Sequence, residues 1–220
     1  AKDAQLREQA LIIEKQNALE NERNRISSEM HDDLGSGLTR IRYLSDKALV
    51  HASEKEKEEI TKISAYANDL VRNMGEIIWA MNSRFDDAEN LAGYLRRYAS
   101  EYLEEHSIPF SFDIDEEQLE NVNVRGEVRR NLFLVFKEVL HNTVKYSGAS
   151  EVIIHLHIAD HVTIKVSEVG ARGFDPISSE EKGNGLYNIK KRMNAIQGRI
   201  TYEQSAEAMQ ITFSAPFHLS

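Results

Sequence analysis

Hydrophobic positions along residues 1–84 recur in steps of three and four, and no proline interrupts them. Residues 1–25 are highly charged, with apolar positions Leu6 and Ile13, then Ile12, Leu19 and Ile26, spaced by sevens. That spacing predicts a short coiled-coil lead-in with a weak seam. From Ile26 the stripe continues through Met30, Leu34, Leu38, Ile41, Leu44 and Ala48, and a polar stretch at His51–Lys57 reads as a break. A second stripe, Ile60, Ile63, Ala67, Leu70, Met74, Ile77 and Met81, alternates three and four without a fault, as a bundle seam requires. Two long helices joined by a short turn make an antiparallel hairpin. Alone it leaves much of its apolar seam in water, at a cost of about 25 cal/mol per Å². Two hairpins from two copies bury both seams in a four-helix bundle, so the pattern itself predicts a homodimer.

The period changes after Asp86. Leu91, Tyr94, Leu95, Tyr98, Tyr102 and Leu103 mark an amphipathic helix over 86–106; Pro109 ends it, and Phe110, Phe112 and Ile114 alternate as a strand. Residues 127–146 return to helix. Val152, Ile154, Leu156, Ile158 and then Val162, Ile164, Val166 predict two strands. A glycine-containing loop occupies 168–185. Leu186–Gln197 reads as a helix stopped at Gly198, and Ile200, Tyr202, Met209, Ile211 and Phe213 suggest a closing hairpin. The fold class is therefore α+β: a helical hairpin followed by a two-layer α/β sandwich with a mixed, mostly antiparallel sheet. The expected division is 1–25 as a coiled-coil signalling helix, 26–84 as the dimerising hairpin and 87–220 as a separate α/β domain.

Composition narrows the class. Acidic residues outnumber basic ones, 36 to 27, for a net charge of −9, which excludes a nucleic-acid surface built on clustered Lys and Arg. There is no cysteine, hence no disulfide and no thiolate metal site. No apolar run approaches the roughly 20 residues needed to cross a bilayer, and no signal peptide is present. The helical pattern is already running at Ala1, without an initiating Met, so the chain reads as a cytoplasmic fragment whose upstream part is missing.

One histidine has a distinctive setting, Glu22-Arg23-Asn24-Arg25-Ile26-Ser27-Ser28-Glu29-Met30-His31-Asp32-Asp33-Leu34-Gly35. His31 follows a seam residue, about 100° round the helix, at the edge of the buried stripe. A neutral imidazole nitrogen there is able to attack phosphorus, and the neighbouring Asp32 to orient the ring and take up its other proton. His51 and His106 lack such a context. The stretch resembles the phosphoacceptor box E-R-x-R-I-x-x-E-L-H-D-x-x-G of bacterial sensor histidine kinases. The resemblance implies autophosphorylation at His31 with assistance from Asp32. Some members carry Gln or His five residues after the phosphoacceptor to place a water for dephosphorylation; Ser36 stands here, which argues against a phosphatase by that route.

Three further segments carry chemistry. On a continuing helix Glu138, Asn142 and Lys145 fall at i, i+4 and i+7, a shared face that offers an acid, an amide oxygen and an ammonium suited to Mg²⁺ and a triphosphate. The segment resembles the N-box E-x-x-x-N-x-x-K-[HY] of GHKL-type ATPases and kinases. By that likeness Asn142 binds Mg²⁺, Lys145 contacts phosphate, and Glu138 positions the metal or polarises water; His141 is incidental. Val166–Pro176 resembles the D-x-G-x-G-F adenine box, with a departure. Aligned without a gap on Gly173-Phe174, Val169 takes the Asp position and Ala171 that of the first Gly. With one inserted residue, Glu168 and Gly170 take those positions. Strand alternation points Glu168 inward and favours the second alignment. Loss of a buried hydrogen bond to adenine costs about 1–3 kcal/mol, roughly 10- to 100-fold in affinity. Gly183-Asn184-Gly185-Leu186 opens a helix with free N–H groups for phosphate, and resembles the second glycine box; Asp175–Lys182 reads as a lid.

The resemblance covers nearly the whole chain from Glu22, with the boxes in order. It implies a two-component transferase core: ATP with Mg²⁺ phosphorylates His31, and the phosphoryl group passes to a response-regulator aspartate. Arg40 and Arg42 lie along the docking surface, and a connection near 83–87 allows the domains to move. Trp79, in a segment like the junction of this kinase class, reads as packing. An upstream, membrane-linked sensor is expected. The altered adenine box motivates an alternative, a dimeric signalling module whose nucleotide pocket is degenerate.

Overall fold

A computed structural model describes residues 2–115, 122–171, 184–205 and 207–217. The chain divides into two compact units, Ala1–Ser83 and Arg84–Ser220.

In the first unit α1 (Lys2–Glu29) leads through a π-helical turn (Met30–Gly35) into α2 (Ser36–Leu49), and α3 (Glu54–Met81) returns antiparallel. Helix α1 runs through residue 25 without interruption. The polar break is shorter than the sequence suggested: the backbone N–H of Ser53 donates to Glu56 Oε2 at 2.8 Å, a capping interaction that starts α3 at Glu54. The stripe on α3 divides by sevens. Ala67 and Met74 are buried, whereas Ile63, Leu70 and Ile77 are exposed. Leu34, Ile41 and Leu44 on the other arm are exposed as well. Between the arms lie small residues: Ser45 and Ser64 are buried, and Ser64 donates to Asp46 Oδ1 at 2.9 Å. Asn24 ties the end of α1 to the end of the hairpin, donating to Ser83 Oγ at 3.0 Å and accepting from Ser83 N–H at 3.2 Å.

In the second unit the described elements are α4 (Ala88–Glu105), β1 (Phe110–Ile114), α5 (Gly126–Asn142) with a π-helical continuation (Thr143–Ser147), β2 (Glu151–Ile158), β3 (His161–Val169), α6 (Asn184–Ala195), β4 (Arg199–Gln204) and β5 (Ala208–Pro216). The strands form one sheet in the order β1-β2-β3-β5-β4, with β1 parallel to β2 and the remaining pairs antiparallel. Alternation decides the faces: Val152, Ile154, Leu156 and Ile158 on β2, and Val162, Ile164 and Val166 on β3, are buried. Leu91, Leu95 and Leu103 of α4, and Leu132, Phe136 and Leu140 of α5, complete the core. Asp87 starts α4 by accepting the Asn90 N–H at 2.6 Å. Arg129 of α5 is fully buried and meets Asp86 at 2.9 Å. Glu168 occupies an inward position of β3 and is 2 % exposed, a carboxyl among apolar neighbours.

Candidate functional site

His31 stands in the π-turn with its side chain 74 % exposed, its Nδ1 3.3 Å from Asp32 Oδ1. The imidazole is therefore open to solvent on a rigid support, and Asp32 meets the nitrogen opposite the one that would react. Upstream, Arg25 bridges Glu22 and Glu29, at 2.8 Å from Nε to Glu22 and 2.6 Å to Glu29, which accounts for three charged positions of the box as one surface ladder. Gly35 faces the other arm: a Cβ there would stand 3.1 Å from Met74 Cε, so the glycine lets α3 pass close to the turn. A groove of about 790 Å³ runs beside His31, lined by Ser36, Thr39, Arg40, Arg42 and Tyr43 on one arm and Val71, Met74 and Gly75 on the other.

In the second unit two cavities share Ile189. One, about 170 Å³, lies between α5 and α6 and is lined by Leu134, Lys137, Glu138, His141, Asn188 and Arg192. Burial, followed by the nearby charge of Arg130, lowers the Arg192 pKa, while Glu138 opposes the shift. The other, about 10 Å³, is lined by Val139, Asn142, Glu168, Leu186, Tyr202 and Ile211. That is room for about one water molecule and less than a purine needs. Burial raises the Glu168 carboxyl above its ordinary range and pushes Tyr202 up to about 12. Glu168 Oε1 lies 2.6 Å from Thr143 Oγ1, and Oε2 has no partner among the described residues.

The structure thus brings together Glu138, Asn142, Glu168, Gly185 and Leu186. Gly185 is packed so tightly on Glu138 that a Cβ would collide with Oε1, which joins the N-box helix to the second glycine box. Lys145 lines neither cavity. It lies in the π-helical continuation, where the turn per residue changes and the i, i+7 face is lost, and its ammonium stands 5.1 Å from the Tyr146 ring. Gly170 (φ +71°) closes the turn after β3, its N–H donating to the Glu207 carbonyl at 2.9 Å. His141 lines the larger cavity and is held by Tyr98, whose hydroxyl lies 3.0 Å from Nε2. Gly173, Phe174, Gly183 and the lid at 175–182 lie outside the described residues. Sequence reasoning did not single out Thr143, Arg192 or Tyr202 for the site. Thr143 stands four residues after Val139 and next to Asn142, a spacing that marks a helix-face neighbour, whereas Tyr202 is signalled only by its strand alternation.

Comparison with known proteins adds a separate line of evidence. Residues 22–84 match the sequence model of the family HisKA_3, histidine kinase. The sensor histidine kinase LiaS of Bacillus subtilis (strain 168) is 23 % identical over 188 residues, 84 % of this chain and 51 % of that protein. The chain thus spans about half the length of that curated relative. Among solved structures, full-length ShkA in complex with AMPPNP aligns with a TM-score of 0.54 at 14 % identity, over 91 % of this chain and 46 % of that one. The histidine kinase domain of the blue-light activated kinase EL346 from Erythrobacter litoralis aligns with a TM-score of 0.52 at 13 % identity, over 83 % and 94 %. At these identities the structural matches establish the fold.

Proposed function

We propose that this chain, whose residues 22–84 match the histidine kinase family HisKA_3, is a sensor histidine kinase core that works as a dimer in which ATP bound at Asn142 and Glu168 phosphorylates His31, and that His31 then passes the phosphoryl group to a receiver aspartate. The observation that carries this reading is the pairing of an exposed imidazole, oriented by Asp32 at 3.3 Å, with a second unit whose Asn142, Glu168 and Leu186 converge on one small cavity. The attacking nitrogen is Nε2. It bonds to the γ-phosphorus as the bond to the β,γ-bridging oxygen breaks, and ADP departs with that electron pair. Asp32 stabilises the positive charge that develops on the ring. Such transfer is mainly positioning and charge neutralisation.

Among the described residues no cluster of three acidic or histidine side chains is arranged to hold a metal. The donor set would suit Mg²⁺ carried in with the triphosphate: the Asn142 carboxamide oxygen would serve as a ligand and Glu138 would help to position the ion. Bound there, Mg²⁺ neutralises phosphate charge. AMPPNP in the ShkA structure belongs to that protein; the shared fold supports a nucleotide at the corresponding place here.

Dimerisation is supported by the exposed apolar row Leu34, Ile41, Leu44, Ile63, Leu70 and Ile77. The groove beside His31, with Arg40 and Arg42, suits the acidic pocket of a receiver. No helix among the described residues is long and apolar enough to cross a membrane; a membrane-linked sensor upstream belongs to the proposal. The test is incubation with γ-labelled ATP and Mg²⁺. An acid-labile label that His31→Ala abolishes is the expected result. Absence of both label and nucleotide binding supports the second reading, a degenerate module, which the one-water cavity and the Glu in place of Asp favour.

A further inference from the structure

Thr143 has a single hydroxyl hydrogen and two acceptors within reach. Its Oγ1 lies 2.9 Å from the Val139 carbonyl and 2.6 Å from Glu168 Oε1. Donation to the carbonyl four residues back is the habitual bond of a threonine on a helix. With that hydrogen so used, a 2.6 Å approach to an ionised carboxylate would press lone pair against lone pair. The contact becomes a hydrogen bond when Glu168 carries a proton on Oε1 and donates it to Thr143. The surroundings agree. Glu168 is 2 % exposed, its strand partners are Val152 and Met209, and the apolar side chains of Val139 and Leu186 share its cavity. The other titratable group lining that cavity, Tyr202, is held neutral by burial. The remaining oxygen, Oε2, is buried and has no partner among the described residues. A carboxyl oriented in this way presents its carbonyl oxygen, and no hydrogen, to whatever enters.

We propose that Thr143 is a positioning residue for the nucleotide base: by binding Glu168 Oε1 it turns Oε2 into a fixed acceptor that selects a 6-amino purine over a 6-oxo purine. The inference rests on the nucleotide-binding reading above. An adenine amino group donates to Oε2 and satisfies it. A hypoxanthine places its own oxygen there, leaving two acceptors face to face. Replacing Thr143 by an apolar residue frees the Glu168 proton to turn toward the cavity, where it serves an oxo group as well as an amino group is served now.

The experiment is calorimetric titration of the whole chain with ADP and with inosine diphosphate, both with Mg²⁺. The wild type, Thr143→Val, Thr143→Ser and Glu168→Gln are compared, and each is checked for a cooperative thermal transition without nucleotide. The wild type is expected to prefer ADP by about tenfold or more, roughly the effect of one buried hydrogen bond. Thr143→Ser restores the hydroxyl and holds ADP affinity and preference within about threefold. Thr143→Val weakens ADP by about tenfold and brings the preference below about threefold. Should Thr143→Val show no cooperative transition, Thr143→Ala carries the same test. An unchanged preference in the apolar variant overturns the inference alone. So does a loss of about tenfold or more in Glu168→Gln, which would mark an ionised anchor. A wild type that binds neither nucleotide overturns the nucleotide reading itself.

Discussion

Truncating Leu70 tests the proposed dimer at the level of its seam. Leu34, Ile41, Leu44, Ile63, Leu70 and Ile77 are between 38 % and 53 % exposed in one copy. Full burial of such a side chain contributes about 1.5–3 kcal/mol, so a half-exposed position gains about half of that on association. Over six positions in each of two copies the gross gain is roughly 9–18 kcal/mol, against an association cost of roughly 4–15 kcal/mol. The balance is small enough for one residue to matter. Leu70→Ala removes three carbons in each copy. At about 0.8 kcal/mol per carbon, half realised at the interface, and with a cavity left behind, the dimer loses about 2–4 kcal/mol. Sedimentation equilibrium should then give a dissociation constant roughly 30- to 1000-fold weaker. Leu70→Glu should be more severe, since it places two unpaired charges in the seam. Val50→Ser, at a position 75 % exposed beside the hairpin turn, is the control and should change nothing. The apolar residues of α1 are identical in all variants and form a constant background. A dissociation constant within about threefold of wild type in both Leu70 variants, with helicity retained, would refute the assignment of this row to the dimer.

Gly185→Ala sets a Cβ against Glu138 Oε1, the free end of a side chain that can swing aside; nucleotide affinity measured by calorimetry should fall by about threefold or more as the carboxylate leaves its place, and an unaltered affinity would show that this placement of Glu138 does not contribute to binding. Arg129→Met removes the 2.9 Å ion pair with Asp86, which is 20 % exposed; urea unfolding of the second unit should show a loss of about 1–3 kcal/mol, less than for a fully buried pair because Asp86 reaches water. Glu168 has a carboxyl raised by burial above the value of 4.5 that it has in the unfolded chain, so the fold holds more protons just above that pH and loses stability as pH rises through the window between the two pKa values. Glu168→Gln has no such proton to lose, and its melting temperature should climb relative to wild type as pH rises above the ordinary carboxylate range; parallel curves would reject the raised carboxyl.

Much of this architecture was legible because the apolar periods are clean. The strands over 152–158 and 162–166, the helix over 127–146 and the closing hairpin all arise from alternation or three-four spacing, and each has its counterpart in the structure. The inward direction of Glu168 followed from alternation alone, and its burial agrees. Helix α3 starts inside the polar stretch His51–Lys57 because Ser53 with Glu56 three residues on spells a helix start. Other features had weaker signals. Which seam residues face the other arm and which face outward depends on the small residues Ser45 and Ser64, which allow the arms to approach and carry no hydrophobic mark. Thr143 carries no mark in the sequence because a threonine inside a helix usually bonds its own backbone, and only the three-dimensional approach of Glu168 gives it a second partner.

The two π-helical turns show where periodicity holds information that a simple count of apolar steps passes over. From Ile26 to Leu38 the stripe advances by fours, through Met30 and Leu34. On an α-helix each step of four overshoots a full turn by about 40°, so three in succession carry the stripe well off its face. A helix that keeps such residues on one side must unwind locally, as insertions of four do in coiled coils. The π-turn at Met30–Gly35 provides that unwinding, since its i to i+5 bonding turns less per residue. The same run of fours therefore marks both the local change in winding and the position of His31 within it. At Thr143–Ser147 the change works against a sequence inference: it preserves the i, i+4 relation of Glu138 and Asn142, both within α5, and breaks the relation to Lys145 beyond it. Lys145 therefore projects further round the helix from Glu138 than the i, i+7 count implies, whereas Asn142 keeps its α-helical relation to it.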